Sequence, residues 1–195
     1  MLHNLLKDKE IILASKSPRR KKLFDQIGLK FKQIPSNIAE HHLNIPADEF
    51  ATYYAREKVK EIAKTNLESF IVGGDTIVFL DDKILGKPKN KREAAKFLQL
   101  LSDNEHTVVS AIAIYFREQI YTEVARTRVF FYKLTKKEIE EYIATEEPMD
   151  KAGAYGIQGY GSQFIKKIEG CYFNVMGFPV PLFYRMCKKI LSKKF

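Results

Sequence analysis

Cysteine is scarce, with Cys171 and Cys187 the only two in 195 residues. That excludes a disulfide framework and a cysteine-built metal site. Both are expected to be reduced, buried thiols of a cytoplasmic protein, packed as small hydrophobes. Long apolar runs are also missing. The longest apolar stretch, 171–184, is cut by Gly177, Pro179 and Pro181. It falls short of the roughly 20 residues that span a bilayer, so no membrane partner is expected. Residues 1–10 have neither a long apolar core nor a small-residue cleavage site, so no signal peptide is expected. There is no repeat, no low-complexity segment and no Pro/Gly/Ser linker. One domain over 1–195 is expected, or two small lobes sharing a core. The phosphate-binding pattern GxxxxGK[ST] is absent, as is GxGxxG after a strand. His41 and His42 are adjacent rather than four apart, which argues against a histidine metal site.

What is present in excess is positive charge. Lys plus Arg is 33 against 24 Asp plus Glu, a net charge of +9. Such a balance suits a polyanion: nucleic acid, a membrane surface or a phosphorylated substrate. The basic residues are spread along the chain, apart from 19–22 and the tail 188–194. No basic helix carries base-reading polar residues and no stacking motif interleaves aromatics with them, so no nucleic-acid partner is expected. Part of the excess serves solubility. Hydrophobic residues at 45% and charged ones at 29% describe an ordinary globular chain, long enough to fold without a metal or disulfide.

Strand and helix patterns alternate. Strands are expected at 11–14, 31–34, 70–80, 107–116, 120–131 and 163–168, with Asp81-Asp82 as a hairpin turn. Helices are expected from the Ser17 cap and Pro18 to Gly28, over 47–65, over 91–101, from the Thr135/Glu138 capping box to 144, and over 179–191. Two adjacent long strands break a purely parallel arrangement, so the class is α/β with a mixed sheet.

Four constellations carry chemistry. In Leu13-Ala14-Ser15-Lys16-Ser17-Pro18-Arg19-Arg20 a buried strand turns into a helix with two arginines in its first turn. They oppose the helix dipole, a cost that a bound phosphate would offset. A basic, capped surface helix reads the same way. In Val72-Gly73-Gly74-Asp75-Thr76 an acid stands in an apolar strand, where it needs a metal, a cation or a strong hydrogen-bond partner. A satisfied structural Asp at a bend is the alternative. In Leu85-Gly86-Lys87-Pro88 an ammonium is held between glycine and proline, as a phosphate ligand or as a plain turn lysine. Lys58, on the apolar side of the 47–65 helix, is similar, although its stem could simply snorkel. Glu40 lies in a loop, and His106 before a strand reads as structural. The glycine-rich stretch Asp150-Lys151-Ala152-Gly153-Ala154-Tyr155-Gly156-Ile157-Gln158-Gly159 is the most unusual. The Gln158 amide offers a donor and an acceptor to a base edge.

Taken in order, these segments resemble the Maf family of nucleoside triphosphate pyrophosphatases. Ala55-Arg56-Glu57-Lys58, Leu101-Ser102 with His106, and Asn174-Val175-Met176-Gly177-Phe178-Pro179 join the four constellations, so the resemblance covers essentially the whole chain. The Lys-Ala-Gly-Ala-Tyr-Gly-Ile-Gln-Gly form is similar to the branch that hydrolyses dTTP and UTP, rather than the branch acting on 7-methyl-GTP. Asp103 stands where glycine is usual, and Phe178 where leucine is usual. The resemblance implies a twisted mixed sheet flanked by helices, with two lobes and a nucleotide cleft between them. The implied reaction is attack of water on the α-phosphate, releasing monophosphate and pyrophosphate. It assigns Asp75 as general base, and Glu40 beside the metal or the nucleophilic water. Arg20, Lys58 and Lys87 go to the phosphates, while Ser15, Arg19, Thr76 and Gln158 go to the substrate. Glu40 and Asp75 are the implied holders of a divalent cation. Mg²⁺ or Mn²⁺ suits oxygen ligands without Cys or paired His. Homodimers are common in the family, so a homodimer is one expectation. A nucleotide-binding regulator of cell division without turnover is the alternative that the same resemblance carries.

Overall fold

A computed structural model describes residues 1–41, 43–81 and 83–192. His42, Asp82 and the tail residues Lys193 and Lys194, which entered the readings above, lie outside the described residues. In chain order the elements are α1 (Leu2–Leu5), β1 (Ile11–Ala14), α2 (Pro18–Gln26), β2 (Lys32–Gln33), α3 (Ala47–Ala63), β3 (Phe70–Leu80), β4 (Lys83–Leu85) and α4 (Lys91–Leu101). They continue with β5 (Glu105–Phe116), β6 (Gln119–Phe131), α5 (Lys136–Ala144), β7 (Ile165–Glu169), α6 (Tyr172–Val175) and α7 (Val180–Ser192). Three short 3-10 turns, Glu147–Asp150, Ala152–Ala154 and Tyr160–Phe164, fill the glycine-rich region between α5 and β7.

The strands form one seven-stranded sheet in the order β2-β1-β3-β5-β6-β7, with β4 paired to β3 off that path. β1 runs parallel to β2 and β3, whereas β4 is antiparallel to β3 and β7 antiparallel to β6. The sheet is therefore mixed, as the adjacent long strands implied. β1 is buried at all four positions, and β3 at all but Thr76 and Phe79. Such unbroken apolar runs belong to strands covered on both faces.

The chain divides into two compact units. The first comprises 1–75, 110–125 and 177 onward, and the second 76–109 and 126–176. In the first, Phe24 packs its ring against Phe178 and Phe183 at centroid distances of 5.1 and 5.6 Å. Phe178, at the position where leucine is usual, is fully buried there. In the second, Leu98 and Leu101 of α4, Val108, Val129, Phe131, Ile139, Tyr155 and Phe164 form a single cluster. No helix among the described residues is long and apolar enough to cross a membrane.

Local chemistry sets the boundaries. Ser17 caps α2 by accepting the Arg20 N–H at 3.4 Å, and Gly28 (φ 70°) follows its end. Thr135 and Glu138 form the full capping box of α5. The strand expected at 31–34 shrinks to two residues, because only Lys32 and Gln33 find partners, opposite Ile12 and Leu13. The strand expected at 163–168 moves to Ile165–Glu169, since residues 160–164 tighten into a 3-10 turn behind Gly159 (φ 79°). α1 and α6 had no counterpart in the sequence reading. Cys171 corrects an expectation. It is only half-buried, at the head of α6, with its N–H donated to Thr127 Oγ1 at 3.0 Å. Cys187 is buried, and burial pushes its thiol up to about 12. Asp103, in place of the usual glycine, occupies a left-handed position (φ 56°) that aspartate tolerates better than most residues.

Candidate active site

β1 delivers the first group. Its last residue leads into Ser15, whose buried Oγ accepts the Ser17 N–H and an Arg20 guanidinium N–H, both at 3.2 Å. Arg20 is itself buried, and its Nε donates to the carbonyl of Gly177 at 2.8 Å. The guanidinium is thus braced from both sides inside the first unit. Burial pulls its pKa below the ordinary value, the Asp75 charge opposes that, Arg19 adds to it and Glu40 opposes it again. A guanidinium stays charged regardless. Arg19 is half-buried.

α3 and β3 deliver the second group. Gly73 makes it accessible: a Cβ there would lie 2.6 Å from Val59 Cγ2 and 3.1 Å from the Ala55 carbonyl. With no side chain in the way, α3 lies directly on β3. Lys58, one residue before Val59, then reaches Asp75, its Nζ donating to Oδ1 at 2.7 Å. Both side chains are about nine-tenths buried. The same ammonium meets Glu40 Oε1 at 2.6 Å, although Glu40 is half exposed. At Gly74 a Cβ would press on the Ala111 carbonyl at 3.1 Å and reach ordinary contact, 3.6 Å, with Arg20 Nε and the Phe178 ring. The acid expected to need a partner has a buried cation, and it interacts electrostatically with Arg20. Lys58 does not merely snorkel.

Two carboxylates converging on one ammonium also suit a hard divalent cation by donor type, since both offer oxygen only. Among the described residues no group of three or more His, Cys, Asp and Glu side chains could hold a metal. Glu40 and Asp75 offer two carboxylates to such a cation, with water and phosphate oxygens available as further ligands, a donor set that magnesium commonly uses.

The second unit carries the remaining residues. Thr76 is half-buried and continues β3 directly after Asp75. Lys87 is exposed, and its neighbour Gly86 accepts the Gly153 N–H at 3.1 Å, so the third and fourth constellations are tied together. Gly153 (φ 68°) cannot carry a side chain, because a Cβ would meet Val78 at 2.9 Å. Gln158 is exposed at the tip of its loop. Two contributors stand within quoted motifs but had no role assigned from the sequence. The Gly177 carbonyl that braces Arg20 gives no side-chain signal at all. Tyr155 packs its ring on Phe131 and bonds His106 Nε2 at 2.7 Å.

His106 is structural, as expected, and its burial pushes its pKa down to about 3. Its Nδ1 is buried without a partner. Between pH 6.5 and about 3 the unfolded chain binds a proton that the folded chain does not, so stability falls as pH drops through that window. The loss amounts to roughly 3–5 kcal/mol across the whole window. Urea unfolding of the wild type and of His106→Phe from pH 7 to 4 tests this. The variant's midpoint should fall less steeply, and parallel curves would exclude His106 as the source.

A family model described as Maf-like protein matches residues 10–190. A dTTP/UTP pyrophosphatase of Geobacillus sp. (strain WCH70) is 46% identical over 183 residues, covering 93% of this chain and 98% of the relative. A dTTP/UTP pyrophosphatase of Carboxydothermus hydrogenoformans is 44% identical over 180 residues, covering 90% and 96%. A solved dITP/XTP pyrophosphatase of Mycobacterium abscessus is similar at 15% identity with a TM-score of 0.45, over 94% of this chain and 100% of that one.

Proposed function

The chain belongs to the Maf-like protein family, and from that membership we propose that it hydrolyses dTTP and UTP to the monophosphate and pyrophosphate. The observation that carries the reading is the Glu40–Lys58–Asp75 cluster beside the braced Arg20. It gathers two carboxylates and two cations where β1 and β3 lie side by side. A triphosphate needs cationic surroundings, and the water that attacks it needs a base.

In this reading Asp75 takes the proton of the attacking water. Lys58 holds the Asp75 carboxylate in place and supplies positive charge to the phosphates. Arg20, locked by Ser15 and Gly177, presents a fixed guanidinium, which stabilises developing charge without reorganising during the reaction. Lys87 adds a cation from its Gly-Pro turn. Arg19 and Thr76 take part in substrate selection, and Gln158 reads the base. Glu40 and Asp75 would hold Mg²⁺ or Mn²⁺, which when bound supplies further positive charge at the phosphate oxygens. A homodimer, in the cytoplasm, belongs to the same proposal.

The test is kcat/KM for dTTP, UTP, ATP and GTP. The pyrimidine nucleotides should be preferred, because an amide left unpaired against the wrong base costs about 1–3 kcal/mol when buried under it. Gln158→Ala should narrow the gap, mainly by slowing dTTP and UTP. A wild type that prefers GTP would refute the substrate class. Losses equal for every base would move Gln158 from base reading to loop structure.

A further inference from the structure

Gln158 sits on a loop, and a base-reading amide on a loop is useful only if the loop is held. The stems of 156–161 are held in an unexpected way. The Glu147 carboxylate accepts the Tyr160 N–H on Oε2 at 2.9 Å and the Gly161 N–H on Oε1 at 3.2 Å. Oε1 also accepts the Tyr142 hydroxyl at 2.9 Å. The Gly156 backbone lies beside that hydroxyl, since a Cβ built on Gly161 would stand 2.6 Å from Tyr142 Oη and 3.0 Å from Gly156 N. Burial and the bond to Glu147 push the Tyr142 pKa up, which keeps the phenol protonated and able to donate.

The outgoing stem (Tyr160, Gly161) and the incoming stem (Gly156) therefore meet at one carboxylate–phenol pair. The glycines fit this arrangement. A Cβ on Gly159 would stand 2.4 Å from Glu147 Oε2, and one on Gly161 would stand 2.6 Å from Tyr142 Oη and 2.7 Å from the Gly156 carbonyl. Glu147 is held from behind, with its carbonyl accepting Lys151 Nζ at 2.6 Å. Gln158 lies midway between Gly156 and the tied Tyr160, and is exposed.

We propose that Glu147, acting through Tyr142, is the positioning residue that sets where Gln158 presents its amide, and thereby a determinant of base selectivity. This rests on the reading of Gln158 as the base-contacting residue. In this role Glu147 acts through the loop rather than by contact with phosphate or base. Hydrogen bonds to an ionised carboxylate are roughly twice as strong as neutral ones, so one charge can hold two backbone N–H groups and a phenol together.

The experiment compares wild type, Glu147→Gln, Tyr142→Phe, Gln158→Ala and the double variant Glu147→Gln/Gln158→Ala. Steady-state kinetics would use dTTP, UTP, ATP and GTP, and hydrogen exchange would follow the amides of 156–161. Glu147→Gln keeps the shape but sets an amide N–H against backbone N–H groups. Tyr142→Phe keeps the ring and loses only the relay hydroxyl. Each should speed exchange at 160 and 161 and raise KM for dTTP and UTP by about tenfold, about one hydrogen bond's worth of positioning, with kcat largely kept. The pyrimidine preference should narrow as it does in Gln158→Ala. In the double variant the two effects should not add, because both act through one amide. Faster exchange with an unchanged dTTP-to-ATP ratio would overturn the proposal and leave the pyrophosphatase reading standing, as would fully additive losses. A wild type without pyrimidine preference would overturn both. If Glu147→Gln fails to fold, Tyr142→Phe decides alone by the same two readouts.

Discussion

Asp75→Asn should leave a folded protein with nearly all of its hydrolytic activity gone. Asp75 lies in the buried middle of β3, and its carboxylate meets Lys58 Nζ at 2.7 Å. Asparagine fills the same space and can still accept the lysine's hydrogen bond. Lys58 also keeps Glu40 at 2.6 Å, so no buried charge is orphaned. What disappears is the capacity to take a proton from water, and loss of a general base costs about 10²–10⁴-fold. Turnover of dTTP by the purified variant, with its thermal unfolding measured alongside, decides the matter. A variant that unfolds like the wild type and keeps a substantial fraction of its kcat would remove Asp75 from the role of base.

The second large effect is expected at Lys58. Lys58→Ala removes the ammonium that joins Asp75 to Glu40 and leaves two carboxylates with the Arg20 guanidinium as the nearby cation. Removing one partner of a buried ion pair costs about 3–5 kcal/mol of stability, because the other charge stays buried. Activity should fall by about 10²–10³-fold, the loss typical when a donor to developing charge is deleted. Lys136→Ala is the control. Its ammonium is 86% exposed and stands 3.7 Å from Glu140, a geometry that contributes almost nothing. Equal losses of kcat/KM from Lys58→Ala and Lys136→Ala would mean that the protein attracts nucleotides by overall charge rather than by this site.

Much of this architecture is legible along the chain, and the reason is local. β1, β3 and α4 begin and end where the sequence reading put them, since unbroken apolar runs and an Asn90 cap mark their ends without reference to distant residues. Asp75 stood out because a charged residue in such a run must find a partner. The partner's identity was less visible. Lys58 is 17 positions away, and Glu40 comes from a loop with no periodicity, so their meeting at one point follows from how α3 lies on β3. The bracing of Arg20 by Gly177 spans 157 positions and uses only a backbone carbonyl. Nor does the tie of Glu147 to Tyr160 and Gly161 leave a pattern, because its acceptors and donors are a surface-type side chain and main-chain N–H groups. Glycines in that loop permit turns that other residues resist. Their stricter reason at positions 159 and 161 is the close presence of Glu147 and Tyr142.

The bare backbone at Gly73 carries a consequence for how this protein can change over evolutionary time. α3 rests on β3 at a depth fixed by the atom that glycine lacks, with Val59 and the Ala55 carbonyl occupying the space a methyl group would claim. The length of the Lys58 stem is matched to that depth, and its ammonium arrives at Asp75 with no slack. An alanine at 73 would lift the helix and withdraw the ammonium from the carboxylate. An arginine at 58 is longer but brings a planar fork in place of a compact charge, and would not restore the contact to both Asp75 and Glu40. A change at position 73 is therefore felt at position 58. Gly73→Ala would thus be expected to disturb the Lys58–Asp75 pair without altering any charged residue.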